Sequence, residues 1–326
     1  MAASLRFLAD LFMSNQNPVR SEPSFSPIAH RDAALSMGSL AAMLLLAAMW
    51  GLSIPVTKLG LLTMPPLTLT ALRFAIAVPL LMLLIVGRQT LPRRAIPRVA
   101  ALGVLGIGVG QVAQTFGVAG TSASVGTIIS ATIPVFIVVF AALRLKQPVS
   151  GRQQLGLLAA FGGIALVASG SGNETSAVSA TSVASVVLML LSALAIAFYY
   201  VWSVELTNEY GTATVAAWST LFGFLALLPW AGWEMWHVPL QITGQAIVAA
   251  VYLGLVVTVA GLFLWLNILR TVPAGIAAGV QYLQPVVGVA ASSAMFGDQM
   301  GALFAVGVVL VLGGLALTMT SPSKVG

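Results

Sequence analysis

The sequence predicts an all-α membrane protein of ten transmembrane helices, built as two inverted five-helix repeats with both termini in the cytoplasm. Three observations lead there: a duplication at fixed spacing, a composition too apolar for water, and cations confined to one side of the predicted spans.

The duplication is visible residue by residue. Residues 101–166 and 252–317 align without gaps at a spacing of 151 positions. Leu102 then falls on Leu253, Gly103 on Gly254, Gly110 on Gly261, Ala123 on Ala274, Pro134 on Pro285, Gly156 on Gly307, and Gly162-Gly163 on Gly313-Gly314. Chance alignment of Leu/Ala/Val-rich helices does not supply matched glycines and a matched proline. Upstream the register loosens by one residue, with Trp50 lying 152 positions from Trp202 and Pro79 lying 150 from Pro229. Internal repeats of this kind are common in membrane transport folds.

Composition fixes the solvent. With 59% hydrophobic and 7% charged residues and a mean hydropathy of +1.02, the chain cannot cover itself with an ordinary polar surface. It has no cysteine, which excludes disulfides, thiol catalysis and Cys-based metal sites, and only two histidines. A pI near 10.2 often signals nucleic acid, but here the cations mark membrane topology, so the expected partners are a bilayer and a small molecule, with no nucleic acid.

Residues 1–36 precede the repeats. Pro18, Pro23, Pro27 and mixed charge run through them, and Asp10 breaks the best candidate for a signal-peptide core. They are expected to be a disordered tail, or the product of a start codon placed too early, with Met37 as the true start. The first repeat occupies 38–170, with spans at 38–60, 66–87, 97–118, 121–143 and 153–170. Each is close to the roughly 20 apolar residues that cross a 30 Å hydrocarbon core as a helix. The serine-rich segment 171–180 is an external linker, in which Asn173-Glu174-Thr175 forms a formal glycosylation sequon. The second repeat, 181–319, holds spans at 181–204, 213–235, 243–268, 274–297 and 299–319, and 320–326 is a cytoplasmic tail. Helices are expected because a bilayer leaves no solvent partner for backbone groups, and alternating barrel strands are absent.

Charge supplies orientation. Of the 14 Lys and Arg residues, all but Lys58 and Arg73 lie before the first span or after the second, fourth, eighth and tenth, which places them on one side of a ten-span chain with a cytoplasmic N-terminus. Five spans per repeat is an odd number, so the second half is inverted relative to the first, and the interface between such halves is where a substrate site is expected.

Trp50-Gly51-Leu52-Ser53-Ile54-Pro55-Val56-Thr57-Lys58 in the first span, Pro66 with Arg73 in the second, and the stretches 123–163 and 274–314 resemble the paired EamA repeats of the drug/metabolite transporter superfamily. The resemblance covers nearly all of 38–319. It implies a ten-helix bacterial inner-membrane exporter or permease, with amino acids and related metabolites as the usual cargo. It further implies a cavity between the halves and alternating access by rocking about helices rich in proline and glycine, with Pro55, Pro79, Pro134 and Pro285 as gating or hinge candidates. One departure is the connection after the fourth span. There the family commonly has an acidic residue, and this chain reads Leu145-Lys146-Gln147-Pro148 while the second repeat keeps Asp298.

Polar residues within spans are costly in hydrocarbon and are functional candidates by default. Lys58 and Arg73 lie toward the outer half of adjacent spans, where they can meet a substrate carboxylate or, alternatively, snorkel to the interface or tie loop carbonyls together. Gln111 with Gln114, and Gln281 with Gln284, are each one helical turn apart. Amides both donate and accept, which suits a zwitterion or a neutral polar metabolite; the alternative is hydrogen bonding between helices, worth about 0.6–2 kcal/mol per contact. Tyr282 lies between the second pair, and Pro285 follows it. Trp50, Tyr199, Tyr200, Trp202 and Trp265 are candidates to stack on an apolar part of the cargo, or to pack the core; Trp230, Trp233 and Trp236 belong to an interfacial belt. Gly108-Val109-Gly110-Gln111-Val112-Ala113 matches a dinucleotide fingerprint but falls mid-span without a preceding strand, and Gly106-x-x-x-Gly110 suits close helix packing instead.

An intramembrane enzyme is the rival class, but no His, Cys or carboxylate constellation lies within the spans, and His30 and His237 are expected outside them. No phosphate-binding loop implies ATP, no cofactor is expected, and two fused repeats are expected to form the pathway within a single chain. Carboxylates are absent from the midplane, so transport is expected to be facilitated diffusion or coupled weakly through Glu205, near the inner end of the sixth span. A nucleoside, sugar or drug-like cargo fits the same residue types as an amino acid.

Overall fold

The computed structural model describes residues 37–87, 91–145, 150–170, 182–271, 279–298 and 300–319. The expectations for the tail 1–36, the linker 171–180 and the segment 320–326 lie outside these residues. Within them all regular structure is helical. The first repeat contains α1 (Met37–Gly60), α2 (Pro66–Leu84), α3 (Ile96–Ala119), α4 (Ala123–Arg144) and α5 (Gly151–Gly170). The second contains α6 (Val183–Tyr210), α7 (Thr212–His237), α8 (Gly244–Ile268), α9 (Gly279–Phe296) and α10 (Ala302–Met319).

Seven of these helices, α1–α4 and α6–α8, are long and apolar enough to cross a membrane among the described residues, which makes the chain a multi-pass membrane protein. The sequence predicted ten spans. The other three helices are α5, which opens on Gly151-Arg152-Gln153-Gln154, and α9 and α10, whose apolar stretches among the described residues are Leu283–Phe296 and Ala302–Leu317. His237, expected outside the spans, is the last residue of α7, two residues beyond the predicted span 213–235.

Helix starts follow capping chemistry. The side chains of Ser122, Ser182 and Thr243 accept from the backbone N–H groups of Val125, Ser185 and Ala246 at the starts of α4, α6 and α8. Pro66 takes the first position of α2, where its missing N–H is no loss.

Two rods are broken where proline removes a donor. α1 divides at Leu52, three residues before Pro55. α4 divides at Ala131–Thr132 into Ala123–Ser130 and Ile133–Leu145, because Pro134 has no N–H for the Ser130 carbonyl. Pro285, the repeat counterpart of Pro134, lies inside an unbroken α9, and Pro79 lies inside an unbroken α2. α3 and α8 each contain a π-helical segment, Gly103–Val109 and Tyr252–Ala260, at matching positions in the two repeats.

Small residues set the helix crossings. A Cβ on Gly163 would lie 2.6 Å from the Gly307 carbonyl oxygen, and one on Gly314 would lie 2.5 Å from the Gly156 carbonyl oxygen. Gly156 and Gly307 are repeat counterparts, as are Gly163 and Gly314, so each contact maps onto the other when the halves are exchanged. Moving seven residues back along α5 moves seven forward along α10, so the two helices run antiparallel, as an inverted repeat requires. The other crossings exchange partners between halves: Gly103 of α3 abuts the backbone of Ser219 in α7, and Gly254 of α8 abuts the backbone of Arg73 in α2. Gly106 and Gly110 face Tyr199 and Ile196 of α6, so the dinucleotide-like match is a packing face. One buried cluster joins both repeats through Ile54, Ile128, Met189, Val289 and Phe304. Trp230, Trp233 and Trp236 are exposed near the end of α7, as expected of an interfacial belt.

Candidate functional site: a cavity lined by both repeats

A cavity of about 320 Å³ lies where α1, α2, α3 and α4 of the first repeat meet α6, α8 and α9 of the second. Nine residues singled out in the sequence line it: Trp50, Arg73, Gln111, Gln114, Pro134, Tyr200, Trp265, Gln284 and Pro285.

Arg73 is its one charged group among the described lining residues. The Arg73 Nε donates to Thr258 Oγ1 at 3.1 Å and Nη1 donates to Gln111 Oε1 at 2.6 Å. Thr258 is in place because of the π-helical segment of α8. Its hydroxyl donates to the carbonyl of Leu253, five residues back, at 2.8 Å, and the same oxygen receives the guanidinium. Repeat two thus holds the cation of repeat one. The second anchor is equally local: Thr115 donates to the Gln111 carbonyl at 2.8 Å and receives from Thr70 at 2.9 Å, tying α3 to α2 one turn from Arg73.

The aromatic wall is Trp50 with Trp265, ring centroids 5.9 Å apart and tilted by 47°, and Tyr200. Trp50 Nε1 donates to the carbonyl of Val257 at 3.1 Å, and a Cβ on Gly261 would collide with the indole. The glycine repeated at Gly110 and Gly261 therefore has a different neighbour in each half, the indole in one and α6 in the other. Ser130, whose carbonyl Pro134 leaves without an N–H, also lines the cavity, with Ser53 and Thr127.

Other candidates lie elsewhere. Lys58 does not pair with Arg73. Its ammonium donates to the carbonyls of Val118 and Ala119, each at 3.1 Å, and of Thr121 at 2.7 Å, which caps the C-terminal end of α3 and favours a cation there. Tyr199 and Trp202 pack in a cluster with Val99, Leu102, Leu206 and Val215, and Trp202 stacks on Phe198 with centroids 4.7 Å apart. Glu205 accepts from Arg144 at 2.6 Å and is largely exposed; Arg144 also donates to the Val201 carbonyl and covers Trp202. Pro55 is buried beside the α1 break, whereas Pro79 is exposed on α2. Gln281 and Tyr282 fall on α9, but their side chains lie outside the described residues.

Sequence reasoning did not find Thr258 or Glu234. An isolated Thr in an apolar span carries no signal until the π-helical register turns it toward Arg73. Glu234 reads as a carboxylate at a span end, yet it is buried, and its Oε2 accepts from the Thr68 backbone N–H at 2.7 Å and the Thr68 hydroxyl at 2.9 Å. It closes the N-terminus of α2 from across the fold. Asp298 does the same for α4, accepting from the Ser124 N–H at 2.9 Å. Among the described residues no group of three or more His, Cys, Asp or Glu side chains is placed to hold a metal ion.

Two repeats of apolar helices enclosing a polar, aromatic-walled cavity in the membrane define a transporter architecture. The EamA-like transporter family model matches residues 37–169 and again 183–320, and the chain belongs to that family. Named relatives agree on transport. An "Uncharacterized transporter" of Archaeoglobus fulgidus is 24% identical over 83% of this chain and 94% of its own length. A "Probable amino-acid metabolite efflux pump" of Escherichia coli is 26% identical over 85% and 93%, and a "Probable terminal-alkyne amino-acid exporter" of Streptantibioticus cattleyicolor is 26% identical over 85% and 91%. A solved crystal structure, 16% identical, superposes with a TM-score of 0.58 over 86% of this chain and 96% of its own, which shows the fold. Transport, and not catalysis, is the common activity of the family and of these relatives.

Proposed function

We propose that this protein is a secondary exporter of small polar or amphipathic metabolites, amino acids and their relatives foremost, in the bacterial inner membrane. Ten spans with cytoplasmic termini complete the arrangement, and one chain suffices without ATP. The cavity carries this reading. It is bounded by both repeats, combines a cation with amides and hydroxyls, and faces a wall of rings that suits an apolar side chain. One of the relatives above is named for efflux of an amino-acid metabolite and another for amino-acid export, which supports the cargo class.

Alternating access follows from how α4 is held. Its outer half is tied to Asp298, just past the end of α9, through Ser124, and to α9 itself through Thr127 packed on Gly288. Its inner half packs on α6 through Phe136, Ala193 and Ala197 and is clasped by Arg144 to Glu205. The break at Ala131–Thr132 between the two halves borders the cavity, so rocking there opens one end as the other closes. Cargo flux is downhill, or coupled weakly through Glu205.

The test is a comparison of metabolites released by bacteria producing the wild-type chain with those from cells producing Arg73→Gln and Gln284→Ala at equal membrane abundance. Selective external accumulation of amino acids or their derivatives with the wild type alone is expected. Equal release from wild type and both variants would remove the cavity from the pathway.

A further inference from the structure

The charge inventory of the cavity narrows the cargo. We infer that it accepts a carboxylate with a net charge of minus one, an acid whose nitrogen is acylated or absent, in preference to a zwitterionic amino acid. This rests on the reading that the cavity is the cargo site.

The Arg73 guanidinium is held at Nε and Nη1 by Thr258 and Gln111, and both acceptors are neutral. Neither described ion pair involves it. A guanidinium has five N–H donors in a planar fork, so the remainder can serve a carboxylate in the cavity.

Among the described residues no acid balances that charge. Of the eight acidic residues in the chain, Asp10, Glu22, Asp32 and Glu174 belong to the tail and the linker by sequence. Each of the other four is engaged away from the cavity: Glu205 with Arg144, Glu209 with Arg94, Glu234 with Thr68 and Asp298 with the Ser124 N–H. The other polar lining groups are amides, hydroxyls and indoles, which can accept from or donate to a ligand without neutralising an ammonium. A zwitterion would spend its carboxylate on Arg73 and leave its ammonium uncompensated in a low-dielectric site, whereas a monoanion cancels the resident cation. An N-acyl amide also offers one donor and one acceptor, the complement of a glutamine side chain such as Gln114.

The experiment uses purified protein in liposomes and a paired panel: several amino acids, each with its N-acetyl and 2-hydroxy counterparts. The anionic member of each transported pair is expected to enter about tenfold faster or more, given the unfavourable burial of an unpaired charge. An inside-positive potential should accelerate it, Arg73→Gln should erase the preference and Arg73→Lys should retain it. Amino acids entering as fast as or faster than their partners would overturn the inference while leaving the cargo site intact. If no member of any pair enters, the inference and the cargo site fall together. The wild-type comparison alone decides these outcomes should a variant fail to fold.

Discussion

Arg73 and Lys58 share a charge and an intramembrane position, and their partners separate their roles. Lys58 gives three hydrogen bonds to the end of α3, so it is part of the scaffold. Lys58→Met is expected to lower stability by about 0.3–1 kcal/mol from the helix terminus alone, read as a lower unfolding temperature in detergent, with the cargo KM unchanged. A raised KM at unchanged stability would place Lys58 in the pathway instead. Arg73→Gln is expected to give the opposite pattern, near-normal unfolding and at least a tenfold loss of uptake, on the premise that intramembrane charges mark substrate pathways. Glu234 yields a further contrast. Glu234→Ala leaves the Thr68 N–H and hydroxyl without their buried acceptor and should cost about 1–3 kcal/mol, while Glu234→Gln keeps one acceptor oxygen and should cost less; equal losses would argue against the cap. Sequence showed Arg73, Gln111, Gln114 and Gln284 because polarity in an apolar span is visible without coordinates. It could not separate Lys58 from Arg73, since the distinction lies in carbonyls about 60 residues away in the chain.

Elements cross closely where glycine meets backbone. Gly162 and Gly163 are neighbours in α5, yet a Cβ on Gly162 meets nothing within 4 Å whereas one on Gly163 runs into α10. Gly163→Val is therefore expected to abolish folded protein in the membrane, and Gly162→Val to leave its yield close to wild type, as measured by monodisperse recovery in detergent. Loss of both would contradict the assigned faces. The paired glycines stood out in the sequence because the duplication preserved them, but the sequence does not say which of each pair touches the partner. The helix breaks were only half legible. Proline marks Pro55 and Pro134, and the same residue at Pro285 leaves α9 continuous, because a proline inside a packed helix need not break it. The matched π-helical segments had no sequence signal at all. Pro134→Ala restores an N–H opposite the Ser130 carbonyl and should stiffen α4, lowering turnover more than cargo affinity in vesicle uptake; unchanged turnover would move the hinge elsewhere.

At the scale of the molecule, the duplication, the apolar composition and the one-sided cations were enough to announce a two-repeat membrane protein, since each reflects a constraint acting along the whole chain. The cavity was legible as a seam between repeats but not as a set of walls, because Tyr200 and Trp265 come to share it with Arg73, and Thr258 to hold Arg73, only through the exchange of helix partners between halves. The central claim is that this cavity is reached alternately from the two faces of the membrane. The natural absence of cysteine allows a direct measurement: a single Ser130→Cys substitution, labelled by a membrane-impermeant thiol reagent applied to one face at a time. The account predicts labelling from both faces, slowed from both by transported cargo. Labelling from one face alone, or at a rate that cargo does not change, would contradict it.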